Sequence, residues 1–388
     1  MKNISKKRLV LTAVISSVCS VAVVLLAVFL IFGNLGGTLI KLAQMNFLVN
    51  FSYFGETDDV DFDTGICEGY VSKLDDKYAQ YYPLEDSNEK FDAYEGMEIG
   101  IGISVSLNPD TGYFYVFRVN EGSPAAKAGI KVGDQISAVG EISVNLDTAN
   151  DAIDALRGKI GDTVEVTVVS GVEQRTLEVE VSKFDVQSVY GEWIGDYYYI
   201  AITEFNDLTV HQFRLAIEEA VDGDAKGLIF DLMGNRGGTT DSVAEMIDLL
   251  VPRGDVLSVE YINGRTEVLH KSDAEEIDLP MAVIVDGNTA SSAEIFAASI
   301  RDFDKGILIG QKTFGKGIMQ KTYRLIDGSA VKFTVAKYFT KSGESYHNIG
   351  LVPDREVPLS KEQARYFYML DRAQNPYIQK AVEYLNEQ

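Results

Sequence analysis

Histidine is nearly missing from this 388-residue chain: only His211, His270 and His347 occur. None lies in a nucleophile-elbow setting, because no G-x-S-x-G surrounds any serine. That sets aside the commonest base of hydrolytic chemistry and directs attention to lysine. Cysteine is as scarce. Cys19 and Cys67 offer no zinc spacing, and Cys19 lies in an apolar run, which excludes a disulfide framework. Basic residues are outnumbered, 35 Lys and Arg against 58 Asp and Glu, for a formal charge of −23. With no basic stripe after the N-terminus, nucleic acid is a poor partner. No repeat period emerges, and a hydrophobic share of 46% supplies sizeable cores, which argues against wholesale disorder.

The clearest positive signal is at the start. Lys2, Lys6, Lys7 and Arg8 precede an uncharged, mostly apolar stretch from Leu9 to Phe32, long enough as a helix to cross a hydrocarbon core of roughly 30 Å. The flanking charges predict a cytoplasmic N-terminus, with everything after about Gly33 outside, across what is best read as a bacterial cell membrane. The run exceeds an h-region of roughly 7–15 residues and no A-x-A site follows it, so an anchor is favoured over a cleaved signal peptide.

Residues 1–36 are thus read as cytoplasmic tail and anchor, and 37–92 as a helical region with Leu39, Leu42, Phe47, Ile66, Val71 and Leu74 as core candidates, closed by Tyr78, Tyr81, Tyr82 and Pro83. Its acidic stretch Asp58–Asp63 fails a calcium-loop pattern, with Thr64 where Gly is needed and Tyr70 where Glu is needed. From 93 to 184 the texture changes to short β-branched strands, Ile99–Leu107, Tyr113–Val119, Gln135–Val139, Thr163–Val169 and Thr176–Val181, with helices over Ser123–Ala128 and Thr148–Leu156. From 185 to 360 strand and helix alternate: strands at Tyr197–Ile202, Gly227–Leu232 and Met281–Val285, and helices at Val210–Ala220 and Thr240–Leu250. Residues 361–388 are assigned as a C-terminal helical region.

Two βα junctions of this α/β core carry unusual chemistry. Met233-Gly234-Asn235-Arg236-Gly237-Gly238 follows one strand, and its missing side chains let backbone N–H groups approach a developing oxyanion. After Asp286 comes Asn288-Thr289-Ala290-Ser291-Ser292-Ala293-Glu294, leading into a helix whose orphan N–H groups and dipole suit a tetrahedral anion formed by a serine there. A serine at that place is otherwise an N-cap bonded to the backbone of Ala293 or Glu294. Lys316, between Gly315 and Gly317, sits where the chain turns tightly and an amine points inward. To act as a base it must be depressed from about 10.4 by roughly 3–5 units, a shift open to lysine and closed to arginine. Gln320 orients that amine as a third member or else faces solvent from a strand.

The segment Gly122–Asp134, with Gly100-Ile101-Gly102-Ile103 before it, resembles a PDZ domain, which holds an extended chain end by adding it to a sheet edge. The whole chain after about residue 60 resembles the carboxyl-terminal processing proteases, tail-specific serine peptidases of the S41 family. Asn288–Ile295 corresponds to the family's G-S-A-S-A-S-E-I, Thr313–Gln320 completes T-F-G-K-G-x-x-Q, and Phe230–Gly238 corresponds to L-D-L-R-x-N-P-G-G. Tyr338-Phe339-Thr340 and Gly350–Asp354 match the family's late strand and its G-I-x-P-D element. The resemblance implies a multidomain α/β (α+β) fold, with the PDZ domain placed before a crotonase-like, ClpP-like core. It implies Ser291 as nucleophile, Lys316 as base, Gln320 as its orienter, and an oxyanion hole from the backbone N–H of Gly237 or Gly238 with that of Ser292. It also implies a PDZ groove at Gly100, Ile101, Gly102 and Ile103, and Arg157, in Leu156-Arg157-Gly158, either coupling the PDZ domain to the core or simply exposed.

The expected activity is membrane-anchored endoproteolysis of extracytoplasmic proteins recognised by free C-terminal tails, with no metal or cofactor and with an activating partner or homo-oligomer as candidate regulators. Met233, Arg236, Asn288, Thr289, Ser292 and Ala293 depart from the family pattern. They keep open a catalytically impaired PDZ scaffold as the rival. A penicillin-recognising enzyme is disfavoured, since S-x-x-K is absent around Ser291 and K-T-G occurs nowhere.

Overall fold

A computed structural model describes residues 14–24, 26, 33 and 35–388. Half of the expected membrane span at Leu9–Phe32 lies outside the described residues, and among these no helix is long and apolar enough to cross a membrane. The chain divides into two compact units, Met1–Asp63 and Thr64–Gln388. In the first, Leu35–Ser52 is an α-helix whose apolar residues spread around its circumference and leave no single buried stripe. That is why Leu39 and Phe47, expected in a core, are exposed. In the second unit Ile66 and Leu74 are exposed as well, and of these candidates only Val71 is buried.

Tyr81 and Tyr82, expected to close a helical segment, belong instead to a strand, Gln80–Tyr82, paired antiparallel with Ala330–Phe339. Alternating bulky residues favour that extended, half-buried state. The sheet continues through Gly254–Tyr261 to Thr266–Ser272, with Ile318–Arg324 on the other side of Ala330–Phe339. A second sheet runs in the order Val189–Ile194, Tyr197–Ile202, Leu228–Asp231, Met281–Val285, Gly306–Gly310, Arg355–Glu356, antiparallel at the first pair and parallel thereafter. Its central strands Tyr197–Ile202, Leu228–Asp231 and Met281–Val285 are buried on both faces, as a covered parallel sheet requires. Ile200, Phe230 and Val283 join one core with Phe213, Val243 and Ile295 of the helices Asp207–Asp222, Thr240–Asp248 and Ser292–Asp302. Tyr199, Ile229 and Ile284 pack on the opposite face against Tyr377, Ile378 and Leu385 of the helix Pro376–Leu385. The end of the C-terminal region is therefore a layer of the core.

Inserted between the first strand and this core is a six-stranded antiparallel sheet, in the order Ile103–Leu107, Phe114–Val119, Gln135–Val139, Thr163–Ser170, Glu173–Glu180 with the short Ile142–Ser143 beside Gln135–Val139, closed by the helices Pro124–Ala128 and Ala149–Arg157. The expected strand Ile99–Leu107 is broken. Met97–Gly100 pairs with Ser182–Asp185 instead, because the chain turns at Gly102, whose φ of +81° suits only glycine there and whose Cβ would lie 2.3 Å from that of Ser123.

Candidate active site

The parallel register builds the site. Leu228–Asp231, Met281–Val285 and Gly306–Gly310 are successive neighbours, so the loops leaving their C-terminal ends lie side by side, the usual place for chemistry in an open α/β sheet. Cross-links hold them there. Gly234 N–H donates to Asp286 Oδ1 (3.1 Å), the Thr289 hydroxyl to the Leu232 carbonyl (2.9 Å), and Ala290 N–H to the Asn235 carbonyl (2.9 Å). Phe314 N–H donates to the Thr289 carbonyl (3.0 Å). Thr289, one of the departures from the family pattern, is thus a buried structural hydroxyl.

Ser291 stands at the N-terminus of the helix Ser292–Asp302 with φ 60° and ψ −122°, a conformation rarely adopted by a residue with a Cβ and stored at functional sites. Its hydroxyl makes no capping bond. It meets the hydroxyl of Tyr338 at 3.1 Å, while the residue as a whole forms a capping box with Glu294. Tyr338 is 1% exposed, and burial pushes its phenol well above the usual tyrosine range, with the Ser291 bond opposing the shift. It stays neutral. Ser292 is fully buried and donates its hydroxyl to the Gly238 carbonyl at 3.0 Å, so it anchors the glycine loop and does not present a nucleophile.

Glu294 fastens the serine helix to the lysine loop. Its carboxylate accepts from Ser291 N–H (3.0 Å), Thr313 Oγ1 (2.5 Å), Gly315 N–H (2.8 Å) and Lys316 N–H (2.8 Å). Burial raises its pKa against those four donors. Lys316 opens into the same cleft of about 530 Å3 as Ser291, Gln320, Gly238 and Tyr338. Burial, then the neighbouring cations Lys332 and Lys90, hold its pKa below the usual lysine value, the direction a base needs. Its ammonium lies 4.9 Å from the ring centroid of Tyr78. Gln320 sits at a β-bulge, which re-aims its side chain, and donates to the Tyr78 carbonyl at 3.1 Å. Among the described residues no hydrogen bond joins Ser291 to Lys316 or Lys316 to Gln320. The cleft holds all three, with Tyr338 and Tyr78 as their present partners. Neither tyrosine was found from sequence as a site residue.

The glycine loop resolves an open alternative. Gly237 N–H is taken by Asn235 Oδ1 at 2.8 Å, and a Cβ on Gly237 would lie 2.8 Å from that of Ser291. Gly237 is therefore a close-approach glycine whose N–H already has an acceptor. Gly238 is exposed to the cleft, and its N–H, like that of Ser292, has no acceptor among the described hydrogen bonds.

At the PDZ-like sheet, a second cleft of about 490 Å3 is lined by Gly100, Ile101, Gly102, Ile103, Ile153, Leu156 and Arg157. Glu98 shares it. Burial raises that carboxyl while Arg157 opposes the shift. Described contacts between this sheet and the core come from other residues: Asn120 Oδ1 accepts from Tyr190 OH (3.1 Å) and Gln187 N–H (3.3 Å), and Arg118 stacks 4.5 Å from the Tyr190 ring. Among the described residues no three His, Cys, Asp or Glu side chains are grouped to hold a metal ion.

Residues 196–357 match peptidase family S41 and residues 115–170 match a PDZ domain. Over 317 residues, 80% of this chain, the sequence is 35% identical to the carboxy-terminal processing protease CtpA of Bacillus subtilis (strain 168), covering 67% of that protein. The chain thus spans about two thirds of the length of that curated relative. A putative S41 protease from Bacteroides fragilis NCTC 9343 superposes with a TM-score of 0.60 at 16% identity, over 87% of this chain and 91% of the other. A photosystem II D1 C-terminal processing protease gives 0.52 at 24% identity, over 86% and 92%. At those identities the likeness is one of fold. This chain belongs to peptidase family S41, among the serine-type C-terminal processing peptidases.

Proposed function

We propose that this protein is a membrane-anchored serine endopeptidase that cuts extracytoplasmic proteins after its PDZ domain engages their free C-terminal tails. The observation that carries the reading is the cleft in which the strained Ser291 and the acidified Lys316 face the same space. Lys316 takes the Ser291 proton as the hydroxyl attacks a peptide carbonyl. The N–H groups of Gly238 and Ser292 receive the oxyanion, Lys316 passes the proton to the departing amine as the peptide C–N bond breaks, and water then hydrolyses the acyl-enzyme by the same route. Gln320 holds the Lys316 amine once it has left the Tyr78 carbonyl. Bonds from Ser291 to Tyr338 and from Gln320 to Tyr78 make the present arrangement a resting one, which tail binding or a partner converts by population shift. The anchor at Leu9–Phe32 keeps the catalytic unit outside the cytoplasm.

The test compares cleavage of an unstructured protein by the full chain and by Ser291→Ala and Lys316→Ala, with and without a peptide that fills the PDZ groove. Cleavage lost in both variants is expected. Equal cleavage by wild type and Ser291→Ala refutes the assignment, and cleavage by neither under any activating condition leaves the scaffold reading in possession.

A further inference from the structure

The cleft around Ser291 is cationic in a strongly acidic chain. Lys90, Arg236, Lys316, Lys321 and Lys332 line it, and Asp241 is the acidic side chain among the described lining residues. Elsewhere basic residues find carboxylates, as Lys183 does with Asp92 (2.8 Å), Lys271 with Asp255 (2.8 Å) and Lys305 with Glu276 (2.9 Å). Among the described residues none of the five cleft cations is in an ion pair, and Asp241 is engaged by His270 at 3.0 Å. The four lysines rest on tyrosine faces: Lys90 is 4.6 Å from the Tyr94 centroid, Lys316 4.9 Å from Tyr78, Lys332 5.3 Å from Tyr82 and Lys321 5.4 Å from Tyr323. Those rings fix the ammonium groups without neutralising them. Positive charge left unpaired in a recessed, partly desolvated site repels itself and is relieved by an anion.

Given the protease reading, we propose that the cleft selects extended peptide segments bearing an acidic side chain within a few residues of the cut, held by Lys90, Lys321 and Lys332. Those three flank the reacting centre. A carboxylate on Lys90 or Lys321 leaves the Lys316 amine unbonded, whereas one on Lys316 itself would favour its charged form and disable the base. Burial holds the pKa of both Lys316 and Lys332 down, Lys332 and Lys90 add repulsion at Lys316, and Asp76 opposes the shift at each; a substrate carboxylate supplies the further negative charge the cleft lacks.

The test uses the full chain carrying Ser291→Ala and three fluorescent peptides of equal length with two Glu, two Gln or two Lys. Each is amidated at the C-terminus so that the PDZ groove does not retain it. Anisotropy is expected to show the Glu peptide binding roughly tenfold tighter than the Gln peptide at low salt, the Lys peptide weakest, and the difference shrinking below about twofold in 0.5 M salt. Adding Lys321→Gln and Lys332→Gln should abolish the preference and leave Gln-peptide binding unchanged. The exposed Lys321→Gln alone, which spares the packed interior, should reduce the preference about threefold. With Ser291 restored, the preference should appear in KM. Equal affinity for Glu and Gln peptides, or a preference that survives the double substitution, overturns the proposal. Because binding is read on the Ser291→Ala chain, that result is separate from a failure of proteolysis itself.

Discussion

Replacing Tyr338 by Phe removes one oxygen from the cleft and isolates the bond that now engages the nucleophile. The Ser291–Tyr338 contact is 3.1 Å long and Tyr338 is 1% exposed, so water replaces little of it. A neutral hydrogen bond of this kind contributes about 1 kcal/mol net, which corresponds to a factor of roughly five in an equilibrium. If Ser291 must leave Tyr338 to meet Lys316, Tyr338→Phe raises the competent fraction, and basal kcat/KM should rise by up to about fivefold. A saturating tail peptide should erase the difference. The neutral, buried phenol cannot serve as base, so no new limb should appear in the pH profile. Thermal unfolding should fall by no more than a few degrees for a loss of that size in a chain this long. Ser291→Ala, by contrast, leaves the Tyr338 hydroxyl buried without its partner at a cost of about 1–3 kcal/mol, which the double variant with Tyr338→Phe should recover. Initial-rate assays on an unstructured substrate and a melting series of all four proteins decide the matter. A loss of more than tenfold in activity with an unchanged melt would refute the reasoning, because the phenol would then belong to the reaction itself.

Lys332→Met removes a like charge from beside Lys316, which favours the ammonium form. The ascending, acid-side limb of kcat/KM should therefore move to higher pH and activity at pH 7 should drop several-fold, while Lys332→Arg keeps the profile. Gly238→Ala places a Cβ 1.9 Å from the Phe205 carbonyl oxygen at φ +150°. It should destabilise the fold by about 4 kcal/mol or more by chemical denaturation and abolish cleavage. Ser292→Ala loses the 3.0 Å bond to the Gly238 carbonyl but no reacting atom; activity should fall within about tenfold, against near-total loss for Ser291→Ala, and similar losses would exchange the two serines' roles.

Much of this was legible in order along the chain. Runs such as Tyr197–Ile202, Gln135–Val139 and Met281–Val285 form strands with the expected bounds, because uninterrupted apolar or β-branched residues bounded by turn formers leave little choice. The serine and lysine segments were found because each carries its chemistry locally. Tyr78 and Tyr338 were not, since each reaches the cleft from a distant strand region and nothing near it in sequence marks its destination. The choice between Gly237 and Gly238 turns on where the Asn235 side chain points, which no spacing encodes. The helix Leu35–Ser52 defeated the expectation of a core because apolar content without a directional stripe does not say what it buries.

The bond from Gln320 to Tyr78 spans 242 positions, and the strand Gln80–Tyr82 waits for Ala330 to pair. Loop closure over such a separation comes late in folding. While the chain is being made, the pieces of its cleft belong to segments that have not yet met. A nascent molecule of this kind carries a nucleophile with no chamber around it. The long detour through the peptide-binding domain thus acts as a clock, withholding the machinery until the last strands arrive.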